Sequence, residues 1–322
     1  MTRLVLVHGR DNQGLDAEEL ERTWRTVLGA GLAAAGTPRT ITDDDATFVY
    51  YGDTLAALAR GDGTPPPVTV HTVPGTRGDT LHVDSRRIAA LPDEEREFVE
   101  SVTSEVLRAA GVDAARLGAE ADELAALGAG ALAEPGGWVN VLLSALDRYV
   151  PGLSSGVLLL LVRDVWTYLH DPDVRATLDD ALAEAMPTDE PAVVVAHSLG
   201  SVLAYSVLRE HRRACDWDVP LFLTLGSPLA ITAIRDALAA RSPLRVPVEV
   251  DRWVAVRDRR DALALHGLGP TAFPLAPGSP PIEELDVDNP APGRHAAAVL
   301  VGDGRVPAGY LAVPEVAALL PR

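Results

Sequence analysis

The chain of 322 residues contains a single cysteine and no lysine, so arginine supplies all 28 of its basic side chains. A lone cysteine excludes an internal disulfide. Cys215 follows Arg212-Arg213-Ala214 beyond a predicted helix, which indicates an incidental or packed thiol rather than a nucleophile. Aromatic residues make up only 5%, but a hydrophobic content of 47% is ample for one large domain with an insertion.

Positive charge is also scarce, because 46 acidic residues outnumber the 28 arginines and leave a net charge of −18. Such a surface disfavours nucleic acid and anionic membranes as partners. The longest apolar run, residues 157–162, is far too short for a transmembrane segment. No basic-then-apolar leader precedes the first predicted strand, so we expect no signal peptide and a cytoplasmic protein. Neither metal-ligand spacing nor a phosphate loop is evident, so no cofactor is predicted.

What the chain does contain is the segment 193–200, Val-Val-Val-Ala-His-Ser-Leu-Gly. An apolar strand here enters a small-x-Ser-x-Gly turn, and a helix-like pattern follows it. A sharp strand-to-helix turn holds a serine hydroxyl exposed beside a base, and it needs small residues two before and two after the serine. Ala196 and Gly200 occupy those positions. The pattern predicts that Ser198 is a nucleophile and that the backbone N–H of Leu199 stabilises an oxyanion.

Segments on both sides of Ser198 offer the other groups that a serine nucleophile needs. A strand at 4–7 ends in His8-Gly9-Arg10, and a strand at 221–225 ends in Gly226-Ser227-Pro228. A third strand, 253–256, is followed by two acids, and a short strand at 282–287 precedes a histidine. The candidates are Asp258, Asp261 and His295. The order Ser, Asp, His is that of the α/β-hydrolase fold and differs from the chymotrypsin and subtilisin orders.

With these segments, the chain resembles bacterial α/β-hydrolases of the lipase/esterase-like superfamily. The resemblance implies a mostly parallel central sheet flanked by helices, with a helical cap inserted before the nucleophile strand. It also implies hydrolysis of a carboxylic ester, small or lipid, through an acyl-enzyme, although amide and thioester substrates stay open. The backbone N–H of Arg10 matches the family's second oxyanion donor, and His8 is expected to shape that loop. The family's acid precedes an apolar pair, which favours Asp261 over Asp258.

The histidine is the least secure member of this site. Related sequences have it only a few residues before Gly-Tyr-Leu, whereas Gly309-Tyr310-Leu311 comes much later than His295. A register with the short spacing places Arg305 at the base position, and arginine cannot act as a base. Either an insertion follows His295 or the triad is incomplete, in which case the scaffold is used for binding. His266, in a Gly/Pro loop, is a second candidate base. His197 is not a candidate, because on a strand its side chain should point to the side opposite that of the adjacent Ser198.

The middle of the chain has a different pattern. Residues 86–187 read as consecutive helices, so we predict a helical cap there and a hydrolase core formed by 1–85 and 188–322. Leu158 to Leu161, with Trp138 and Trp166, supply more apolar surface than a few helices need among themselves. These side chains either line an acyl pocket or pack the helices onto the core, and packing is the favoured interpretation.

Overall fold

The computed structural model describes residues 2–9, 16–42, 44–60, 69–70, 91–126, 136–150 and 152–321. The strands are β1 Arg3–Val7, β2 Ala46–Tyr50, β3 Thr69–Val70, β4 Ala192–His197, β5 Leu221–Leu225, β6 Trp253–Arg257, β7 Glu283–Asp286, β8 Val299–Val301 and β9 Val306–Ala308. The helices are α1 Ala17–Ala34, α2 Gly52–Arg60, α3 Asp93–Ala109, α4 Ala114–Ala126, α5 Gly137–Tyr149, α6 Ser155–His170, α7 Pro172–Ala185, α8 Leu199–Glu210, α9 Thr232–Arg241 and α10 Pro314–Ala317.

Seven strands form one sheet in the order β3-β2-β1-β4-β5-β6-β7. Six of them are parallel, and only the edge strand β3 runs antiparallel to its neighbour β2. The central strands are apolar throughout because helices cover both faces, as parallel sheets require. The predicted α/β architecture, a mostly parallel sheet flanked by helices, is therefore confirmed.

Alternating side chains along each strand divide the core in two. On one face, Val5, Val7 and Val194 pack with α2, α3 and α5 to α9. On the other, Leu4, Leu6 and the remaining alternate positions pack with α1 and α10. Helix α8 is buried along almost its whole length, because it lies between the sheet and helices α6 and α7.

The predicted helical segment forms the five helices α3 to α7, with residues 86–90, 127–135 and 151 outside the described residues. Leu158, Leu159 and Leu161 are buried in the first core, which is the packing role favoured from the sequence. Trp166 is partly buried against the same core, and Trp138 is exposed. The boundaries of the cap and its role stay predictions.

The chain order reverses direction between β1 and β4, in the middle of the sheet. From β1 the chain passes along one face through α1 to β2, and from β4 it passes along the opposite face through α8 to β5. Neighbouring loops after β1 and β4 therefore diverge, which makes this the switch point where α/β sheets bind ligands. Ser198 follows β4 directly, and Gly9 lies beyond the end of β1.

A two-stranded hairpin, β8 paired with β9, separates His295 from Tyr310. The sequence analysis left open an insertion after His295, and the hairpin occupies that interval. Its strands were not predicted, because each has three residues, most of them only partly buried, and Pro307 lies in β9. No helix among the described ranges is long and apolar enough to cross a bilayer.

Candidate active site

Ser198 occupies a strained turn between β4 and α8. Its backbone has φ 51° and ψ −125°, in a region that residues other than glycine rarely adopt. The Ser198 N–H donates to Leu225 O at 3.0 Å, which extends the β4–β5 pairing by one residue. The carbonyl of Ser198 accepts from the Ser201 hydroxyl at 2.5 Å, and Ser201 Oγ lies 2.7 Å from Ser227 Oγ. These bonds hold the strained turn from both sides.

Two glycines let the neighbouring loops approach this turn. A Cβ atom at position 200 would lie 2.2 Å from His8 O, so only glycine lets α8 begin this close to the end of β1. A Cβ atom at position 9 would lie 2.8 Å from Ser198 Cβ. Residues 8 and 9, which follow β1, are thus packed directly against the turn at Ser198.

His295 reaches Ser198 from the segment that follows β7. Its Nε2 lies 2.9 Å from Ser198 Oγ, and its Nδ1 lies 2.9 Å from Asp261 Oδ2 and 3.0 Å from Asp261 Oδ1. If Nδ1–H donates to the carboxylate, Nε2 is left as the acceptor for the serine proton. Three residues distant in sequence thus form one continuous chain of hydrogen bonds.

The two candidate acids have different partners. Asp261 is buried, and its Oδ1 also accepts from the Leu263 N–H at 3.0 Å. Asp258 binds the Arg260 guanidinium at 2.9 Å and accepts from the Asn289 N–H at 2.9 Å. Burial opposes its ionisation, but these donors hold the pKa of the Asp258 carboxyl below its usual value. The geometry therefore places Asp261, and not Asp258, beside His295.

Neither His266 nor Arg305 lies at this position. His266 Nε2 is 2.7 Å from Glu105 Oε1, on helix α3, which ties the loop after β6 to the helical segment. Arg305 is exposed at the end of the β8–β9 turn. His295 is thus the histidine in contact with Ser198, and the register that substitutes Arg305 is not the one in the structure.

Of the two predicted oxyanion donors, Leu199 belongs to the described residues. Leu199 is the first residue of α8, where backbone N–H groups have no acceptor within the helix. Its N–H therefore suits an anion beside Ser198, with the positive end of the helix dipole adding to the attraction. Arg10 lies outside the described residues.

Three successive carbonyls around His295 are each held by a side chain. Asn289 Nδ2 donates to Arg294 O at 2.9 Å and to Ala296 O at 3.1 Å. His197 Nε2 lies 2.7 Å from the carbonyl oxygen of His295 itself. Because a carbonyl oxygen can only accept, His197 must be in the tautomer that carries its proton on Nε2. The backbone of His295 is therefore fixed on both sides.

His8 and His197 are both buried, and the described bond to Ser198 Oγ comes from His295 and from neither of them. Tyr51 N–H donates to His8 Nε2 at 3.1 Å, while His8 Nδ1 contacts Gly9 O. Burial lowers the pKa of His8 to about 4 against the opposing effect of the bond to Gly9. Burial and then the neighbouring His295 hold the pKa of His197 well below its usual value. Both imidazoles are therefore uncharged near pH 7, with His8 bonded to the Tyr51 N–H and His197 to the carbonyl of His295.

Sequence reasoning missed several residues that build the site. Asn289 was not singled out, Tyr310 was noted only as part of Gly309-Tyr310-Leu311, and His197 was considered only as a base. Gly226 was noted only as the end of β5, but a Cβ atom there would lie 2.9 Å from Asp261 Oδ2. No local pattern gives these residues their roles, because their partners lie far away along the chain.

The described residues contain no group of three or more His, Cys, Asp or Glu side chains placed to hold a metal ion. Cys215 is exposed in a short turn after α8. A cavity of about 660 Å³ lies beside the Asp258 loop, lined by residues such as Arg259, Asp286 and Pro314.

No family model matches the chain, and no curated protein or solved structure matches it either.

The buried His8 predicts a loss of stability in mild acid. In the unfolded chain histidine binds a proton below about pH 6.5, whereas folded His8 stays neutral down to about pH 4. The unfolded state therefore binds more protons in this window, and stability falls as the pH drops. Between pH 7.5 and pH 5 the wild type should lose about 2 kcal/mol of unfolding free energy through this group.

Urea unfolding of wild type and His8→Gln at the two pH values measures this contribution. The His8→Gln variant, although less stable at pH 7.5, should show the smaller difference between the two. His170→Gln removes an exposed histidine and should keep the wild-type difference. Equal differences in wild type and His8→Gln would contradict the prediction.

Proposed function

We propose that the chain is a serine hydrolase of the α/β-hydrolase fold that cleaves carboxylic esters. The observation that carries this proposal is the bonded series from Ser198 Oγ through His295 to Asp261, with both contacts at about 2.9 Å. Its support includes the strained turn at Ser198 and the position of that turn at the switch point of the sheet. The order of the three residues along the chain is that of the same fold.

In the proposed reaction Ser198 Oγ attacks the ester carbonyl carbon while His295 Nε2 takes the hydroxyl proton. Asp261 keeps the imidazole in the tautomer with Nε2 free and stabilises its cation. The Leu199 N–H, with that of Arg10, stabilises the tetrahedral oxyanion. His295 then returns the proton to the leaving alcohol. Water, activated by the same imidazole, releases the acid and restores Ser198.

Labelling with a fluorophosphonate tests the proposal directly. This probe reacts with an activated serine by losing fluoride and forming a phosphonate ester on Oγ. We expect one adduct per chain, found by peptide mass spectrometry on Ser198, with no adduct at Ser201 or Ser227. A folded chain that stays unlabelled would favour a hydrolase scaffold that serves only in binding.

A further inference from the structure

Tyr310 lies against the carboxylate of Asp261. Its hydroxyl donates to Asp261 Oδ2 at 2.7 Å and accepts from the Asp258 N–H at 2.9 Å. Because Asp258 fills the acceptor role of the oxygen, the hydroxyl hydrogen is directed at Asp261. The tyrosine is completely buried, and burial, followed by the charge of Asp261, raises its pKa well above the usual value. The hydroxyl is therefore protonated, and a donor, at neutral pH.

The surrounding backbone is built to admit this contact. A Cβ atom at position 226 would lie 2.9 Å from both Asp261 Oδ2 and Tyr310 Cε2, so glycine leaves the room in which the two side chains meet. Gly309 has φ 122°, and a Cβ atom there would lie 2.4 Å from Ala297 O. The chain can thus turn sharply after β9, which brings the Tyr310 hydroxyl into contact with Asp261.

Asp261 Oδ2 consequently has two donors, the Tyr310 hydroxyl and His295 Nδ1. A hydrogen bond to a carboxylate disperses part of its negative charge, and a charge-assisted bond of this kind is among the stronger ones. The more charge Tyr310 withdraws, the less Asp261 stabilises an imidazolium at His295. The tyrosine hydroxyl also limits rotation of the carboxylate, with the Leu263 N–H holding the other oxygen.

From this geometry we propose that Tyr310 is a positioning residue that orients Asp261 and sets the proton affinity of His295. The proposal rests on the function proposed above only for its kinetic readout, because the proton affinity of an imidazole can be measured without turnover. Its action is confined to the carboxylate; Tyr310 has no direct contact with Ser198 among the described interactions.

Other charged and titratable groups also face this region and stay constant in the test. His197, from β4, has its ring 4.7 Å from that of His295. Arg294 precedes the base in sequence and pairs with Asp288. Further groups are in the loop after β6, namely Asp258 and its partner Arg260.

Tyr310→Phe removes the hydroxyl and keeps the ring. The carboxylate of Asp261 then carries more charge, so the imidazolium is stabilised and the base is free only at higher pH. We expect the pH midpoint of kcat/KM to move upward by roughly one unit. The imidazole titration of His295, followed by NMR, should move in the same direction and by a similar amount.

Tyr168→Phe is the matched control. Tyr168 is another buried tyrosine, and its hydroxyl donates to Asp179 at 2.6 Å in the packing between α6 and α7. Removing that hydroxyl should affect stability and leave both midpoints at their wild-type values. An unchanged midpoint in folded Tyr310→Phe would overturn the proposal and leave Tyr310 a packing residue.

Should Tyr310→Phe fail to fold, 3-fluorotyrosine at position 310 provides the second test. Fluorine makes the phenol a stronger donor and preserves its shape, so both midpoints should move downward. Unchanged midpoints would again overturn the proposal. The outcomes distinguish the two proposals. A moved His295 titration midpoint without fluorophosphonate labelling would contradict the hydrolase proposal alone. Labelling with an unchanged midpoint would contradict the role of Tyr310 alone.

Discussion

Ser198→Ala is expected to lower the turnover of a chromogenic ester by roughly a thousandfold or more, as loss of a triad member does. The physical reason is that no other hydroxyl lies in contact with His295 Nε2 among the described residues. Folding should be retained, because alanine removes only Oγ from a turn that backbone bonds to Leu225 and Ser201 already hold. Initial rates, with thermal unfolding measured alongside, check both parts.

Ser206→Ala is the matched control for this variant. Ser206 is a buried serine in α8, the helix that begins directly after Ser198, and its hydroxyl donates to Val202 O at 2.8 Å without contacting the site. Its activity should stay within a few-fold of wild type. Full activity in purified Ser198→Ala, with contaminating esterase excluded, would remove Ser198 from the mechanism.

The second large effect is expected for His295→Ala. Without the imidazole the serine proton has no acceptor, so turnover should again fall by roughly a thousandfold or more. The dependence of kcat/KM on pH that reflects a neutral imidazole should disappear with it. A pH–rate profile from pH 5 to pH 9 measures both changes.

His266→Ala is the control here, because His266 is the other histidine that the sequence offered and it bonds Glu105 instead. This variant should keep the wild-type pH profile and most of the rate, with at most a loss of stability. If His266→Ala were inactive and His295→Ala active, the geometry around Ser198 would not be the working arrangement.

The sheet strands near the site were predictable because each is a continuous apolar run that ends in a chemically distinctive turn. Ser198, with small neighbours on both sides and a helix after it, could be singled out from local pattern alone. The order of residues along the chain left two candidates for the acid, Asp258 and Asp261, and two for the histidine, His295 and His266. Local sequence could not go further, since Asp258 and Asp261 follow the same strand three residues apart.

Contacts between distant segments decide what the sequence left open. Asp258 is occupied by Arg260 and by Asn289, which lies beyond β7, so only Asp261 is available to His295. Tyr310 and Asn289 could not be predicted for the same reason, because their roles consist of bonds to residues that no spacing rule relates to them. Edge elements such as β3 and the β8–β9 hairpin escaped notice because two or three residues are too few to show a period.

The β8–β9 hairpin makes His295 and Tyr310 distant in sequence although the chain segments that carry them are neighbours in space. Ala296 O and Ala297 O accept from the N–H groups of Tyr310 and Leu311, so the chain leaves and returns at one place. Its exposed tip carries positive φ at Gly302, Asp303 and Gly304. Doubling such an excursion costs only about 0.6 kcal/mol in closure entropy. The hairpin could therefore be longer or shorter while His295 and Tyr310 keep their places, and a sequence motif with a fixed spacing between the two would not find such a chain.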